Sequence, residues 1–299
     1  DYAYEYGRGK RRCDTEKITQ SKKDIGDKIM LYGDRCIMCT RCVRFADEIS
    51  GTSELFIDGR GAKEYIDVFP GIGINNELSG NVIDIRPVGA MLDKDFMFQQ
   101  RVWFLKTTPS IDPLTSSGDN IIIEQNDNAI YRVKPRTNLE INQYWITDEV
   151  RYGWKFVHDE SRITEINDDA EIVAADMLQQ AKSVALLVSP MLSCEDAWLL
   201  GNLVRGLDSN AIIGIGPVPI VGEDKTFKSG FTMRSEKAPN ARGVQRALGD
   251  ALDYDAWKKQ VGNADTVVIT GNYPEAWDTP EITENQTLIL IDTLANALI

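Results

Sequence analysis

Three thiols recur at every third position in Cys36-Ile37-Met38-Cys39-Thr40-Arg41-Cys42, in a chain that has five cysteines in all. Thiolates bind iron strongly, and a C-x2-C-x2-C run directs three sulfurs at three corners of a cubic iron–sulfur cluster, leaving the fourth corner to a remote residue. A zinc site or three unrelated thiols are the competing readings. Zinc would want a fourth Cys or His with its own paired spacing, and the sole histidine, His158, lies far along the chain. A two-cluster ferredoxin would need a second cysteine run, which the sequence lacks.

The elements that must hold this loop are short. Residues 1 to about 100 are punctuated by glycines around brief apolar segments, the habit of a loop-rich cofactor module. A helix is expected from Cys42 to Ile49, strands over Glu54 to Ile57 and Tyr65 to Phe69, and a short helix over Leu78 to Asp84 that Pro87 stops. From Arg101 to about Arg162 the pattern turns to β, with strands over Arg101 to Thr107, Asn120 to Gln125 and Ala129 to Lys134 and a hairpin turn at Gln125-Asn126-Asp127-Asn128. Beyond Asn167, helices over Asp168 to Ala181 and Glu195 to Gly206 alternate with apolar runs at Val184 to Ser189, Ala211 to Gly216, Asp265 to Thr270 and Thr287 to Ile291. That alternation predicts a parallel α/β sheet. The fold class is therefore α+β, then α/β, in three parts: 1–100, 101–162 and 163–299.

Composition narrows the function. The 299 residues carry 42% hydrophobic and 26% charged side chains, the balance of a chain that folds. A net charge of −13 argues against a nucleic-acid surface, which needs a basic stripe; Arg8 to Arg12 is too short to be one. No apolar run approaches the roughly eighteen residues of a bilayer span, so no direct membrane insertion is expected. Clustered rather than dispersed cysteines, with no signal peptide, fit a reducing compartment better than a disulfide-stapled secreted protein. The first residue is Asp1, not methionine, which reads as an internal piece of a longer polypeptide.

Four stretches carry a family resemblance: Arg35-Cys36-Ile37-Met38-Cys39-Thr40-Arg41-Cys42-Val43-Arg44-Phe45, Gly59-Arg60-Gly61, Leu78-Ser79-Gly80-Asn81-Val82-Ile83-Asp84 and Pro87-Val88-Gly89-Ala90. Together they closely resemble the large iron–sulfur subunit of NADH-quinone oxidoreductase, respiratory complex I, known in mitochondria as the 75 kDa subunit. Asp1 to Gly9 resemble the stretch just after that family's His-plus-three-Cys motif, which would place its amino-terminal two-iron domain upstream. The resemblance implies a [4Fe-4S] cluster on Cys36, Cys39 and Cys42 and a fourth ligand, a cysteine, immediately before the Pro-Val-Gly-Ala segment. Here that position is Arg86, which has no free lone pair for a metal. Water or a carboxylate such as Asp84 on an open iron, a three-iron cluster, an engineered or misassigned residue and a lost cluster all stay open, with Cys13 a weak rescue. Arg35, Arg41 and Arg44 would either balance cluster charge or sit as solvated surface.

Arg101 to His158 resembles the small iron–sulfur module of molybdopterin oxidoreductases, through Pro109-Ser110-Ile111, Ser117-Gly118-Asp119-Asn120-Ile121, Tyr131 to Arg136 and Asp148 to Gly153. Where cluster-bearing relatives place four cysteines, this chain has Asp112, Thr115, Asp119 and Thr147, hard oxygen donors that will not hold an iron–sulfur cube. Residues 163–299 resemble a truncated molybdopterin-oxidoreductase α/β domain, in Ala211 to Pro219 and Glu236-Lys237-Ala238-Pro239-Asn240. A dinucleotide turn at Gly214 and Gly216 is opposed by Pro217 and Pro219. Cys194 is expected to pack, and His158 to be a surface residue.

What the resemblance implies is an electron-transfer subunit that relays single electrons from NADH towards quinone, with no catalytic residue and no molybdopterin on this chain. Its partners would be the flavin-bearing and other iron–sulfur subunits in a hetero-oligomer. It would lie on the cytoplasmic face of a bacterial inner membrane or the mitochondrial matrix side, peripheral through complex I. The alternatives are a molybdopterin-dependent oxidoreductase and a structural complex I subunit that has lost its cluster.

Overall fold

Ile29-Met30-Leu31-Tyr32 alternates buried and half-buried side chains, the signature of a strand with one face on a core. The computed structural model describes residues 1–10, 12–14, 18–163, 169–271 and 277–294. It parts them into two units, Asp1–Met97 and Phe98–Ile299. In the first, a turn of helix α1 (Tyr2–Glu5) precedes a three-stranded antiparallel sheet of β1 (Lys22–Asp24), β2 (Ile29–Tyr32) and β5 (Met91–Asp93), in the order β1-β2-β5. Between β2 and β5 run α2 (Arg41–Arg44), the hairpin β3 (Leu55–Asp58) and β4 (Tyr65–Val68), and α3 (Asn81–Asp84). Ile25, Ile29, Phe45, Ala46, Leu55, Ile66, Ile74, Leu78 and Val82 are all buried in this unit.

The second unit begins with an antiparallel sheet of β6 (Lys106–Ile111), β7 (Asn120–Asn126) and β8 (Ala129–Pro135), followed by α4 (Asp148–Tyr152). Asp127 and Asn128 take φ of 49° and 62°, so the hairpin expected there closes through the two-residue turn whose handedness matches strand twist. The strand expected over Arg101 to Thr107 lies elsewhere: Val102–Phe104 form a 3-10 turn and the strand runs Lys106–Ile111, straight through Pro109. Proline lacks a donor and looks like a strand breaker, but β6 is an edge strand, where a missing N–H is tolerated.

Next come α5 (Ala170–Gln180), β9 (Val184–Val188), α6 (Cys194–Leu207), β10 (Ile212–Ile215), the ribbon β11 (Lys225–Thr226) and β12 (Thr232–Met233), α7 (Ala241–Leu248), α8 (Tyr254–Lys258), β13 (Thr266–Thr270) and β14 (Thr287–Ile291). Asp168, the expected start of α5, lies outside the described residues. Strands β10, β9, β13 and β14 form the expected parallel sheet in that order, and all five residues of β9 and of β13 are buried, as helices on both faces require. Gly214 lies inside β10 rather than in a phosphate-cradling turn, and a Cβ there would meet the side chain of Trp257 at 2.5–2.7 Å. Within this unit, the Ser116 N–H donates to the Glu236 carbonyl at 3.0 Å and Lys237 pairs with Glu149 at 2.5 Å, tying the β module to the α/β body.

Helix α6 is capped by Ser193, whose hydroxyl accepts from the Asp196 N–H at 3.0 Å. Ser193→Ala is expected to cost about 1 kcal/mol of stability by orphaning that donor. Urea unfolding followed by circular dichroism would read it, and an unchanged midpoint would mean the cap contributes nothing.

Candidate iron–sulfur site

The cysteine loop is shaped by backbone before any side chain acts. A 3-10 turn over Gly33–Arg35 follows β2 and ends with the Cys36 N–H on the Gly33 carbonyl at 2.9 Å. Met38 and Thr40, one in each interval between cysteines, are left-handed, with φ of 51° and 60°. These two residues bend the chain back on itself between successive thiols. The Thr40 carbonyl also accepts the Arg44 N–H at 3.0 Å, so Cys42 falls in the single turn of α2 and is 3% exposed, while Cys36 and Cys39 are half-buried. The helix expected from Cys42 to Ile49 starts at Arg41 and widens into a π turn over Phe45–Ser50, which Gly51, at φ 76°, ends by donating to the Ala46 carbonyl. Phe45 and Ala46 anchor this segment in the core.

Residues 84–90 are held against the loop by two arginines whose part no sequence signal reveals. Arg41 donates to the Ile85 carbonyl at 3.4 Å and Arg35 to the Gly89 carbonyl at 3.2 Å, with the Arg35 guanidinium also lying 4.5 Å above the Tyr32 ring. Arg44 instead pairs with Glu48 on the surface, 3.0 Å away. Two of the three flanking arginines thus act as staples on backbone carbonyls. Between the stapled carbonyls, Arg86 brings its Nη2 to 3.8 Å from the Cys36 sulfur. Its Nε and Nη1 are buried and have no hydrogen-bond partner among the described residues.

The electrostatics place the four side chains in one neighbourhood. Burial pushes the Cys42 thiol up, the Arg86 charge and a bond from the Val43 N–H pull it down, and charge on Cys36 or Cys39 would raise it further. Among the described residues, no three His, Cys, Asp or Glu side chains gather around a point where one metal ion could sit. A cluster asks for something different, since each thiolate takes a separate iron at a separate corner. Three sulfurs beside a buried guanidinium with unmet donors suit an anionic group that offers both iron and acceptor atoms, and in that sense the residues fit. Of the other candidates, Asp84 closes α3 half-buried and Cys13 is exposed.

The positions of the second module are all occupied by buried oxygen. Asp112, Thr115, Asp119 and Thr147 are at most 2% exposed. The Asp112 carboxylate accepts from the Leu114 N–H at 2.8 Å, the Thr115 N–H at 3.2 Å and the Thr115 hydroxyl, and its own N–H donates to the Asp119 carbonyl at 2.8 Å. Thr147 caps α4 by accepting from the Val150 N–H. Burial pushes Asp112 up to about 6 and Asp119 up to about 7, the latter helped by charge on Asp112. Asp119 Oδ2 has no partner among the described residues.

His158 is structural: its Nε2 accepts the Ile130 N–H at 2.8 Å, so it finishes the β7–β8 hairpin. Cys194 is exposed rather than packed in a core, its sulfur beside Asn240.

Two family models match the same two stretches. Residues 26–92 match the family model of the NADH-quinone oxidoreductase subunit 3 ferredoxin-like domain. Residues 105–155 match that of the NADH-ubiquinone oxidoreductase NDSU1/NuoG-like 4Fe-4S domain, although this stretch contains no cysteine. The chain is 33% identical over 255 residues to the mitochondrial NADH dehydrogenase [ubiquinone] iron-sulfur protein 1 of Solanum tuberosum, covering 79% of this chain and 34% of that protein. It is 32% identical over 223 residues to an NADH-quinone oxidoreductase subunit from Rickettsia felis, covering 70% and 33%. With the NADH-ubiquinone oxidoreductase 75 kDa subunit of Acanthamoeba castellanii it shares 42% over 154 residues, covering 52% and 23%. The chain spans about a third or less of the length of these relatives.

Proposed function

Because the chain belongs, over the residues matched, to the family of the NuoG-like and 75 kDa subunits of NADH-quinone oxidoreductase, we propose that it is an electron-transfer subunit of such an oxidoreductase. Cys36, Cys39 and Cys42 hold its one iron–sulfur cluster. The observation that carries this reading is the stapled loop itself, three thiols on one turn with the Arg86 guanidinium beside them. When bound, the cluster supplies a one-electron couple, taking an electron from one neighbouring carrier and handing it to the next. The protein's share is to fix the three sulfurs, keep water from Cys42 and offset negative charge with Arg86.

Partners on this reading are a flavin-bearing subunit and other iron–sulfur subunits in a hetero-oligomer that passes electrons from NADH towards quinone at a membrane. No helix among the described residues is long and apolar enough to cross one, which fits attachment through partners. The second unit serves as scaffold: its β module is an erased cluster site, its α/β body is of molybdopterin-oxidoreductase type, and neither carries chemistry.

Iron and acid-labile sulfide, measured on anaerobically purified chain beside a Cys36→Ser/Cys39→Ser/Cys42→Ser variant, test the assignment. Expected is roughly one cluster per wild-type chain and complete loss of iron and sulfide in the variant, with far-ultraviolet circular dichroism unchanged. Equal iron in both proteins would sink it, and no iron in either would leave a structural subunit in its place.

A further inference from the structure

Arg86 is the one side chain of the first unit, among the described residues, with polar atoms buried and unbonded: Nε and Nη1 both lack partners. Two carbonyls close to it in sequence are taken, Ile85 by Arg41 and Gly89 by Arg35. A guanidinium stays protonated, carries five N–H donors and accepts nothing. Buried as it is, it demands acceptors of negative character. Its third nitrogen already points at sulfur, 3.8 Å from Cys36.

The rest of the site shares that imbalance. Three of the five cysteines lie here; of the others, Cys13 is exposed and Cys194 belongs to the second unit. A four-iron cube on Cys36, Cys39 and Cys42 would have one iron without a protein thiolate, and that cationic corner would meet the Arg86 guanidinium, whose charge is already positive. A cube without that corner offers the reverse, a face of bare sulfides that are good acceptors and carry negative charge.

Resting on the reading of the three thiols as cluster ligands, we propose that this site holds a three-iron, four-sulfide cluster, with the Arg86 guanidinium closing the vacant corner and donating to the sulfides there. Arg86 is then a positioning residue that selects the iron count. Its two staples are part of the device, because they fix the backbone on either side of it.

The test is iron-to-sulfide stoichiometry and electron paramagnetic resonance on the full chain, purified anaerobically so that no iron is lost to air, before and after dithionite and after incubation with ferrous iron and thiol. A three-iron cluster has an unpaired spin when oxidised, and a four-iron cluster of the common type has one when reduced. Expected for the wild type is roughly three irons to four sulfides, a signal in the oxidised sample that disappears on one-electron reduction, and no uptake of further iron. Arg86→Cys supplies the missing thiolate and is expected to take a fourth iron and move its signal to the reduced sample. Should that variant fail to fold, the wild-type stoichiometry and signal decide alone. A wild type with equal iron and sulfide and a signal only after reduction would overturn this inference and leave the cluster reading standing, whereas a wild type with no iron would overturn both.

Discussion

Trp257→Ala is expected to destabilise the second unit by about 3–5 kcal/mol, the cost of emptying the space of the largest fully buried side chain on its face of the parallel sheet. The indole lies between β10 and α8, packed among Ala185, Leu187, Val261, Ala264, Val267 and Ile269, and its Nε1 donates to the Ile212 carbonyl at 3.1 Å. Gly214 leaves room for it: the ring fills the volume any larger residue would need. Deletion therefore removes apolar contact, orphans a carbonyl and opens a hole that a glycine cannot fill. Differential scanning calorimetry should show the transition of this unit falling by on the order of 10 °C. Because the thiols lie in the other unit, bound iron should be unchanged; a loss of iron equal to the loss of stability would show that the two units do not act independently.

Asp119→Asn is expected to stabilise the chain at pH 8, by about 4 kcal/mol, and to leave it unchanged below pH 4. The carboxyl rises from 3.8 to about 7 on folding because burial and the neighbouring Asp112 disfavour its charge. The fold therefore binds the neutral form: the contribution is fully present below about pH 4, declines as the unfolded chain ionises, and is lost as pH passes about 7. An amide cannot ionise, and its NH2 has Asp112 as a nearby acceptor. Urea midpoints taken from pH 4 to pH 8 should fall steeply for the wild type and less steeply for the variant. Parallel curves would place the pH sensitivity elsewhere, Asp112 with its value of about 6 being the next group to examine.

These two positions mark where sequence reading reaches and where it stops. The parallel strands were legible because burial on both faces leaves only apolar residues, as in Val184-Ala185-Leu186-Leu187-Val188, and the hairpin because Asp127 and Asn128 tolerate left-handed backbone. Strand β6 runs through Pro109, which reads locally as a breaker, and its acceptance depends on an edge position that only the assembled sheet defines. The π turn after Cys42 has no compositional mark. At the candidate site the thiols announced themselves by spacing, and Arg86 by being unable to ligate. Its two unmet donors and the stapling by Arg35 and Arg41 were not legible, since they depend on carbonyls brought in from some fifty residues away. Asp119 carried no signal of a raised carboxyl, for burial is a property of the fold.

Met38 and Thr40 carry a consequence for the proposed cluster on the three thiols. A non-glycine residue in left-handed backbone costs roughly 1–2 kcal/mol, and here two such residues alternate with the cysteines. Such a conformation survives only where its surroundings impose it, and the buried Phe45 and Ala46 anchor the segment that follows the loop. The turn is thus held at a cost that the core beside it must offset, so a defect in that core reaches the thiols through the backbone. Truncating Phe45, buried three residues past Cys42, should then lower the iron that each purified chain retains.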